Sequence, residues 1–174
     1  MVRGWHDRFG IDVINFTEPG RPGELRVAGP TVFAGYLDGE HRPSPFDERG
    51  RLRTGDLFEI AGDRGQFLRF VDRVADVIIR GGTNIAPAEL EALIAEHPAV
   101  AEVAVVGDPD PVLGERVAAV VTPAPGADLT LDGLTAFLRG HRIASYKLPE
   151  RLDVRRALPR NAIGKLLKRE LRAG

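Results

Sequence analysis

The sequence predicts an α+β protein in two parts, a small β-rich unit followed by a unit of mixed helices and strands. Between residues 20 and 71, short segments that alternate apolar and polar residues are separated by turns rich in glycine, proline and aspartate, as in half-buried strands. From residue 74 onward, apolar runs that suit covered strands alternate with segments of helical periodicity. We therefore expect two domains, residues 1–73 and residues 74–174.

The composition is that of an ordinary globular protein. Of 174 residues, 43% are hydrophobic, which is enough for a substantial core. Cysteine is absent and the four histidines are scattered, so disulfides and thiolate metal sites are excluded and no metal-ligand spacing is found. The segment MVRGWHDRFG lacks the apolar core of a signal peptide, and no apolar run reaches the roughly 18 residues of a membrane span. These features predict a cytoplasmic protein.

In the β-rich unit, the first predicted strand covers residues 11–16. The segment GELRVAGPTVFAGYL, residues 23–37, alternates around a Gly-Pro break and is predicted to form a β-hairpin. Strand patterns follow at residues 52–60 and 66–71, and AGDRG between them is typical of a hairpin turn.

One stretch, FVDRVADVIIRGGTNIAPAELE at residues 70–91, joins the two parts. Its polar connector leads into an apolar β-branched strand at residues 77–79, and Pro87 suits the first position of a helix. Between them, Gly81 and Gly82 permit positive φ angles or close approach of a ligand to the backbone. A plain tight turn and a loop that contacts a ligand are both open interpretations.

The rest of the pattern predicts a three-stranded sheet with packed helices. Residues 101–106 and 117–121 are near-continuous apolar strands, expected to be central and covered. Thr130 is a candidate N-cap of a second helix, and Gly140 is placed to end it. The last predicted elements are a short strand, residues 151–154, and a terminal helix, residues 166–171.

Positive charge is concentrated near the C-terminus. The formal net charge is −1, but residues 139–174 hold 11 Lys/Arg against 3 Asp/Glu. Such a block attracts polyanions such as nucleotides, CoA or nucleic acid, and a solvated helical face is the alternative. Tyr146 is the only Phe, Tyr or Trp in this block, which argues against nucleic-acid binding.

Two residues of the β-rich unit are candidate nucleotide ligands. Within the sequence RTGD, the carboxylate of Asp56 can accept hydrogen bonds from two vicinal hydroxyls, as on a ribose. The guanidinium fork of Arg73 can reach phosphate or ribose oxygens. A structural turn at Asp56 and a surface ion pair of Asp72 with Arg73 are the alternatives.

Lys165 is a candidate catalytic cation. It ends the segment PRNAIGK, in which a glycine frees the backbone just before the lysine. An ammonium held there can face a carboxylate and an α-phosphate together and stabilise the charge that develops during transfer. The segment lacks the first glycine and the final hydroxyl of a GxxxxGK[ST] phosphate loop. An exposed lysine at a helix cap is the alternative.

Four segments taken together in their order indicate a function far more specifically than any one of them alone. GELRVAGPTVFAGYL, LRTGD, FVDRVADVIIRGGTNIAPAELE and LPRNAIGKLLKREL, in this order, closely resemble the last third of adenylate-forming enzymes. That superfamily contains acyl- and aryl-CoA ligases, luciferases and peptide-synthetase adenylation domains. The resemblance covers residues 20–174, and GGTNIAPAELE and GKLLKREL are most similar to the acid-CoA ligase branch.

The resemblance implies a reaction that uses ATP, Mg²⁺ and CoA. In this family a large N-terminal domain binds ATP and the acid, and a mobile C-terminal domain moves between two half-reactions. The acid attacks ATP to give an acyl-adenylate and pyrophosphate, and CoA then displaces AMP. The residues carried over by position are Asp56 and Arg73 for the nucleotide, Lys165 for adenylation, Gly81 and Gly82 for the thioester-step loop, and Ala75 and Asp76 for the hinge.

Two departures from the family pattern affect these expectations. Ala75 stands where the family often has a polar hinge residue, with Asp76 next to it. Phe16 runs directly into Thr17, so the tyrosine-glycine step of the adenine loop is missing. The Ser/Thr/Gly-rich phosphate loop and the acid pocket have no counterpart in this sequence. Residues 1–73 are therefore expected to be a remnant of the ATP-binding domain, and tight cofactor binding by this chain alone is not expected.

The sequence thus predicts the C-terminal portion of an acid-CoA ligase, inactive alone, as a truncated gene product, a deletion derivative or an excised piece. The second hypothesis is a non-catalytic module that complements or binds a separate large adenylating subunit. Nucleic-acid binding through residues 139–174 would show steep salt dependence but has no motif to support it.

Overall fold

The computed structural model describes residues 12–15, 21–35, 43–62 and 67–172. The chain divides into two compact units, Met1–Ala75 and Asp76–Gly174, called here the N-terminal and C-terminal units. Each unit contains its own sheet, and the described helices lie in the C-terminal unit. The predicted α+β class is confirmed.

The N-terminal unit is built on an antiparallel sheet with strand order β1-β2-β3-β4. The strands are β1 (Asp12–Asn15), β2 (Gly23–Ala28), β3 (Leu52–Ala61) and β4 (Phe67–Arg73). Strands β3 and β4 pair from Asp56 opposite Arg73 to Ala61 opposite Phe67, so this predicted hairpin is confirmed.

The hairpin predicted for residues 23–37 is wrong. Strand β2 pairs with β1 and β3 instead, and residues 31–35 form no strand. The Gly-Pro break does turn the chain, with the Val32 amide donating to the Gly29 carbonyl at 3.1 Å. After this turn, Phe33 packs against Phe46, with the two rings tilted by 43° and their centroids 5.6 Å apart, and it does not pair back along β2. Residues 36 and 37 lie outside the described residues.

The C-terminal unit contains a five-stranded sheet, because the predicted strand near residues 77–79 and one unpredicted strand join the predicted three-stranded sheet. Its strands are β5 (Ile78–Arg80), β6 (Thr83–Ile85), β7 (Val100–Asp110), β8 (Gly114–Pro123) and β9 (Arg151–Val154). Strand β8 pairs along its whole length with β7, and on its other edge with β5 and then with β9. Only β9 runs parallel to its neighbour among these described pairs. Its predicted bounds are confirmed.

Both faces of the central strands are covered, which explains their continuous apolar character. One face packs against two helices, α1 (Pro87–Ile94) and α2 (Leu131–Gly140). Alternate residues of β7 and β8 face them, including the fully buried Val105 and Val117. The opposite face, with Ala118 and Val120, is covered by segments near the C-terminus. No helix in the described part of the chain is long and apolar enough to cross a membrane.

Helix α2 begins and ends as the sequence predicts. The Thr130 hydroxyl accepts a hydrogen bond from the Gly133 amide at 3.1 Å, and the helix ends at Gly140. The predicted terminal helix at residues 166–171 is wrong, because only a 3-10 turn at Lys168–Glu170 forms. Leu166 pairs in a β-bridge with Arg160, and the Leu167 amide donates to the Pro159 carbonyl at 2.9 Å. These backbone bonds prevent an earlier helix start.

Leu138 provides a test of the packing of α2. Its side chain is fully buried against the sheet. Leu138→Ala leaves a cavity and is expected to lower the free energy of unfolding of the C-terminal unit by about 2–5 kcal/mol. Urea unfolding followed by circular dichroism measures this loss. Arg139→Ala, at an exposed position of the same helix, is the control. A loss no larger than that of the control would contradict the packing.

Asp110 stabilises the β7–β8 turn in a pH-dependent way. Its Oδ1 accepts the Leu113 amide at 2.8 Å and the Val112 amide at 3.0 Å, and its Oδ2 pairs with Arg116. The Leu113 hydrogen bond, with these other contacts, lowers the pKa of Asp110 below its ordinary value of 3.8. A lowered pKa contributes stability that is present above the ordinary value and is lost as the pH falls through the lowered one.

The unmutated chain is therefore expected to melt at a higher temperature than Asp110→Asn at pH 7. The difference should shrink as the pH is lowered below about 3.8. Thermal unfolding of both chains between pH 7 and pH 3 measures it. A difference that stays constant over this range would show that the charge of Asp110 is not involved.

Candidate functional site

Two of the predicted site residues, Asp56 and Arg73, lie directly opposite each other on β3 and β4. Arg73 Nε is 3.0 Å from Asp56 Oδ1. Seventeen positions apart in sequence, they become neighbours because the β3–β4 hairpin brings them into register. Asp72, on the other side of the strand, is buried and accepts the Arg73 amide at 2.7 Å. The two residues predicted to bind the nucleotide therefore form an ion pair within the N-terminal unit.

The turn before Asp56 holds its carboxylate in place. Gly55 has a φ of +73°, which favours glycine, and its carbonyl accepts the Val74 amide at 2.8 Å. The Thr54 hydroxyl donates to the Leu25 carbonyl at 2.7 Å and accepts the Asp56 amide at 3.2 Å. The RTGD sequence is thus a bulged part of a strand, which fixes the direction of the Asp56 side chain.

The Asp56 carboxylate retains capacity to accept hydrogen bonds. Its Oδ1 is buried and accepts no aligned hydrogen bond, since the Arg73 contact is a charge pair without hydrogen-bond geometry. The Arg73 side chain is 50% exposed. The Asp56 side chain as a whole is 27% exposed, so part of its carboxylate is open to a ligand.

Gly81 and Gly82 form the two-residue turn of the β5–β6 hairpin. Their φ angles are +55° and +79°, and Arg80 pairs with Thr83 across the turn. Two successive positive φ angles in a two-residue loop are typical of the type I′ turn, which suits the twist of a hairpin. Both glycines are exposed, and a Cβ at Gly82 would meet no described atom within 4 Å. The turn therefore presents bare backbone to solvent.

This hairpin is a correction to the sequence prediction, which expected the glycines between a buried strand and a helix. Strand β6 at Thr83–Ile85 was not predicted. Strand β5 is buried on one face only, with Ile78 fully buried and Ile79 54% exposed. A three-residue strand is too short for its periodicity to be read from sequence.

Lys165 lies at the end of a closed turn. Asn161 Oδ1 accepts the amides of Ile163 at 3.2 Å and Lys165 at 2.8 Å. The Asn161 carbonyl accepts the Gly164 amide at 2.9 Å, and Gly164 has a φ of +81°. Arg160 Nη1 donates to the Gly164 carbonyl at 3.0 Å. The backbone of Lys165 is thus held by Asn161 and Arg160, both of which the sequence reasoning missed. The N-x-x-G spacing was the available signal.

The ammonium of Lys165 is available for a ligand. Its side chain is exposed and has no ion pair among the described residues. Many of its basic neighbours do have partners. The ion pairs formed by basic side chains of residues 139–172 include Lys147–Glu89, Arg151–Asp108, Arg155–Asp153, Arg160–Glu102, Lys168–Glu91 and Arg172–Glu115. Much of the positive charge near the C-terminus is therefore neutralised within its own unit.

The glycine turn and the Lys165 turn lie at opposite ends of the β7–β8 hairpin. The Gly81 amide donates to the Leu113 carbonyl at 2.7 Å, next to the turn of that hairpin. The Lys165 turn is tied to Glu102 by Arg160, with 3.2 Å between charged atoms, and Glu102 is near the other end. Glu102 and Asp110 are eight positions apart along β7, a length of about 26 Å. The two predicted catalytic elements of this unit are thus not brought together.

The predicted hinge residues lie where the two units meet in sequence. Residues 74–76 form a turn after β4, and the division between the units falls between Ala75 and Asp76. Among the described residues, no group of three or more His, Cys, Asp or Glu side chains is placed to hold a metal ion.

Solved structures with this fold include proteins crystallised with ATP or with an acyl-adenylate intermediate. ATP-bound MatB from Rhodopseudomonas palustris has a TM-score of 0.83 at 33% identity, over 92% of this chain and 33% of that one. o-Succinylbenzoate CoA synthetase (MenE) from Bacillus subtilis, solved with the acyl-adenylate OSB-AMP, has a TM-score of 0.81 at 36% identity, over 94% of this chain and 34% of that one. The chain corresponds to the C-terminal portion of adenylate-forming enzymes of the acyl- and aryl-CoA ligase branch.

The family match agrees with this class. Residues 89–165 match the model of the AMP-binding enzyme C-terminal domain. The long-chain-fatty-acid–CoA ligase of Escherichia coli O157:H7 is 42% identical over 161 residues, which are 91% of this chain and 28% of that ligase. The chain spans about a third of the length of these relatives.

Proposed function

We propose that this chain provides the C-terminal part of an ATP-dependent acid-CoA ligase, which forms an acyl-adenylate and then a CoA thioester. The observation that carries the proposal is the placement of two exposed elements, the Lys165 turn and the Gly81-Gly82 turn, beside opposite ends of the β7–β8 hairpin. A unit that serves two half-reactions in succession needs two such ends, each of which can face the reaction centre in turn.

In adenylation, Lys165 would stabilise the negative charge that develops on the α-phosphate as the acid carboxylate attacks. The ammonium suits this role because it has no ion pair among the described residues that would first have to be broken. Asp56 would accept hydrogen bonds from the two ribose hydroxyls, and Arg73 would contact the same nucleotide. Mg²⁺ would neutralise the phosphates of ATP. The reaction is proposed to take place in the cytoplasm.

In thioester formation, the Gly81-Gly82 turn would face the reaction centre instead. Bare backbone there leaves room for the pantetheine chain of CoA, whose thiolate attacks the acyl carbonyl and releases AMP. Rotation about Ala75 and Asp76 would exchange the two ends. The turn at residues 74–76 lies between the two units in sequence, where a hinge for this rotation would have to be.

The 174-residue chain alone is proposed to be inactive. Purified chain incubated with ATP, Mg²⁺, CoA and a panel of carboxylic acids should release neither pyrophosphate nor AMP. Release of both products would refute this part of the proposal. The alternative, a module that complements a separate large subunit, would be supported by co-purification with a partner that gains ligase activity.

The ligase role itself can be tested in a hybrid enzyme. In this hybrid ligase, the chain replaces the matching C-terminal third of the B. subtilis o-succinylbenzoate CoA synthetase. The hybrid should form the thioester from o-succinylbenzoate, ATP and CoA, whereas the host without its C-terminal third should not. A folded hybrid that forms neither adenylate nor thioester would contradict the proposed function.

A further inference from the structure

The β5–β6 hairpin, which carries Gly81 and Gly82, has little backbone attachment to the rest of its sheet. Among the described residues, pairing between β5 and β8 rests on Arg80 opposite Gly114. The Gly81 amide adds one hydrogen bond to the Leu113 carbonyl. Ile78 and Ile85 anchor the base of the hairpin in the core. Its tip therefore depends on side-chain contacts for a fixed position.

A salt bridge of Arg80 supplies one such contact. Arg80 Nε is 3.0 Å from Glu150 Oε2, and Arg80 Nη2 is 3.1 Å from Glu150 Oε1. This is the two-pronged arrangement in which a guanidinium fixes both distance and direction. The two side chains are 23% and 28% exposed, so water screens the pair only in part. Their hydrogen bond raises the pKa of Arg80 and lowers the pKa of Glu150, the directions expected for an ion pair.

Glu150 is itself held by the central strand. It immediately precedes β9, and its amide donates to the Val117 carbonyl of β8 at 2.8 Å. The salt bridge thus connects the residue before the glycine turn to the buried centre of the sheet. The two partners are 70 positions apart, and no local pattern indicates that they meet.

A second carboxylate supports the same strand. Glu115 Oε2 accepts the Ile79 amide at 2.7 Å, in place of a backbone carbonyl. Space for this carboxylate comes from Gly107, where a Cβ would lie 2.7 Å from Glu115 Cδ. The three successive residues 79–81 are therefore held by Glu115, Glu150 and Leu113 in turn.

We propose that Arg80 and Glu150 are positioning residues that hold the Gly81-Gly82 turn in place for the thioester half-reaction. This inference rests on the proposed function. Neither side chain touches substrate; they act through the turn backbone. Because the Lys165 turn lies at the other end of the unit, loss of the salt bridge should leave adenylation unaffected.

The position of the hairpin can be tested in the 174-residue chain itself. Hydrogen exchange should become about tenfold faster in peptides covering residues 79–85 for both Glu150→Gln and Arg80→Met. Glu89→Gln, which removes the Lys147–Glu89 pair of the same unit, is the matched control and should leave these peptides unchanged. Unchanged exchange in both salt-bridge variants would overturn the proposal.

The catalytic consequence is measured in the hybrid ligase. Glu150→Gln should lower the kcat of thioester formation from supplied OSB-AMP and CoA about tenfold to a hundredfold, a range typical of a reacting group misplaced by about 1 Å. Pyrophosphate release from o-succinylbenzoate and ATP should stay within about twofold of the unmutated hybrid. The reversed pair Arg80→Glu with Glu150→Arg should recover part of the thioester rate.

Equal loss in both half-reactions, or loss in neither, would overturn the positioning role. Failure of the proposed function has a different signature, since the unmutated hybrid would then form no thioester. In that event the hydrogen-exchange comparison still decides whether the salt bridge holds the hairpin.

Discussion

Lys165→Ala in the hybrid ligase is expected to slow adenylation by about 100- to 1,000-fold. This loss corresponds to about 3–4 kcal/mol, the usual effect of removing one preorganised group that stabilises transition-state charge. The ammonium is exposed and has no ion pair among the described residues, so its removal should disturb the fold little. Pyrophosphate release from o-succinylbenzoate and ATP measures the effect.

The second half-reaction provides the internal comparison for Lys165. Attack of CoA on supplied OSB-AMP should remain nearly unchanged in Lys165→Ala, because that step would use the opposite end of the unit. Arg169→Ala removes another exposed cation without an ion pair in the described part of the chain, and serves as the control. Equal loss of both half-reactions would refute the role of Lys165.

Gly82→Val is expected to have the reverse pattern, with thioester formation reduced at least tenfold and adenylation nearly unchanged. Gly82 has a φ of +79°, a region costly for a β-branched side chain, and it lies in the turn proposed to admit CoA. A Cβ there would meet no described atom within 4 Å, so the added Cβ itself does not clash within the free chain. Single-turnover reaction of OSB-AMP with CoA measures the loss.

A matched glycine separates backbone strain from the loss of space for CoA. Gly126 has a φ of +75° and likewise meets no described atom within 4 Å of an added Cβ. Gly126→Val should therefore lower stability to a similar extent, while thioester formation in the hybrid stays near that of the unmutated enzyme. A parallel loss of thioester formation in both variants would show that strain alone is responsible.

The elements with long regular patterns could be predicted from the sequence. Strands β7 and β8 are apolar on successive residues because both of their faces are covered, and α2 has a cap and an apolar stripe. Short elements were less predictable. Strand β6 has three residues, and the terminal segment forms only a 3-10 turn because its backbone bonds with Pro159 and Arg160.

The candidate site shows the same division. Asp56, Arg73, Gly81, Gly82 and Lys165 were selected from motifs, since each stands in a short local pattern. Their roles stay predictions. Arg160 and Glu150 were missed because their partners become apparent only when the chain folds. Arg160 bonds to Gly164 and Glu102. Glu150 bonds to Arg80.

The sequence by itself determined the fold class, the bounds of β9 and the motifs that resemble adenylate-forming enzymes, because these depend on local composition and periodicity. Only the tertiary structure decided that Asp56 and Arg73 are neighbours, and that the glycine turn and Lys165 lie at opposite ends of one hairpin. Such relations depend on strand register and on contacts between residues far apart in sequence, which local patterns do not encode.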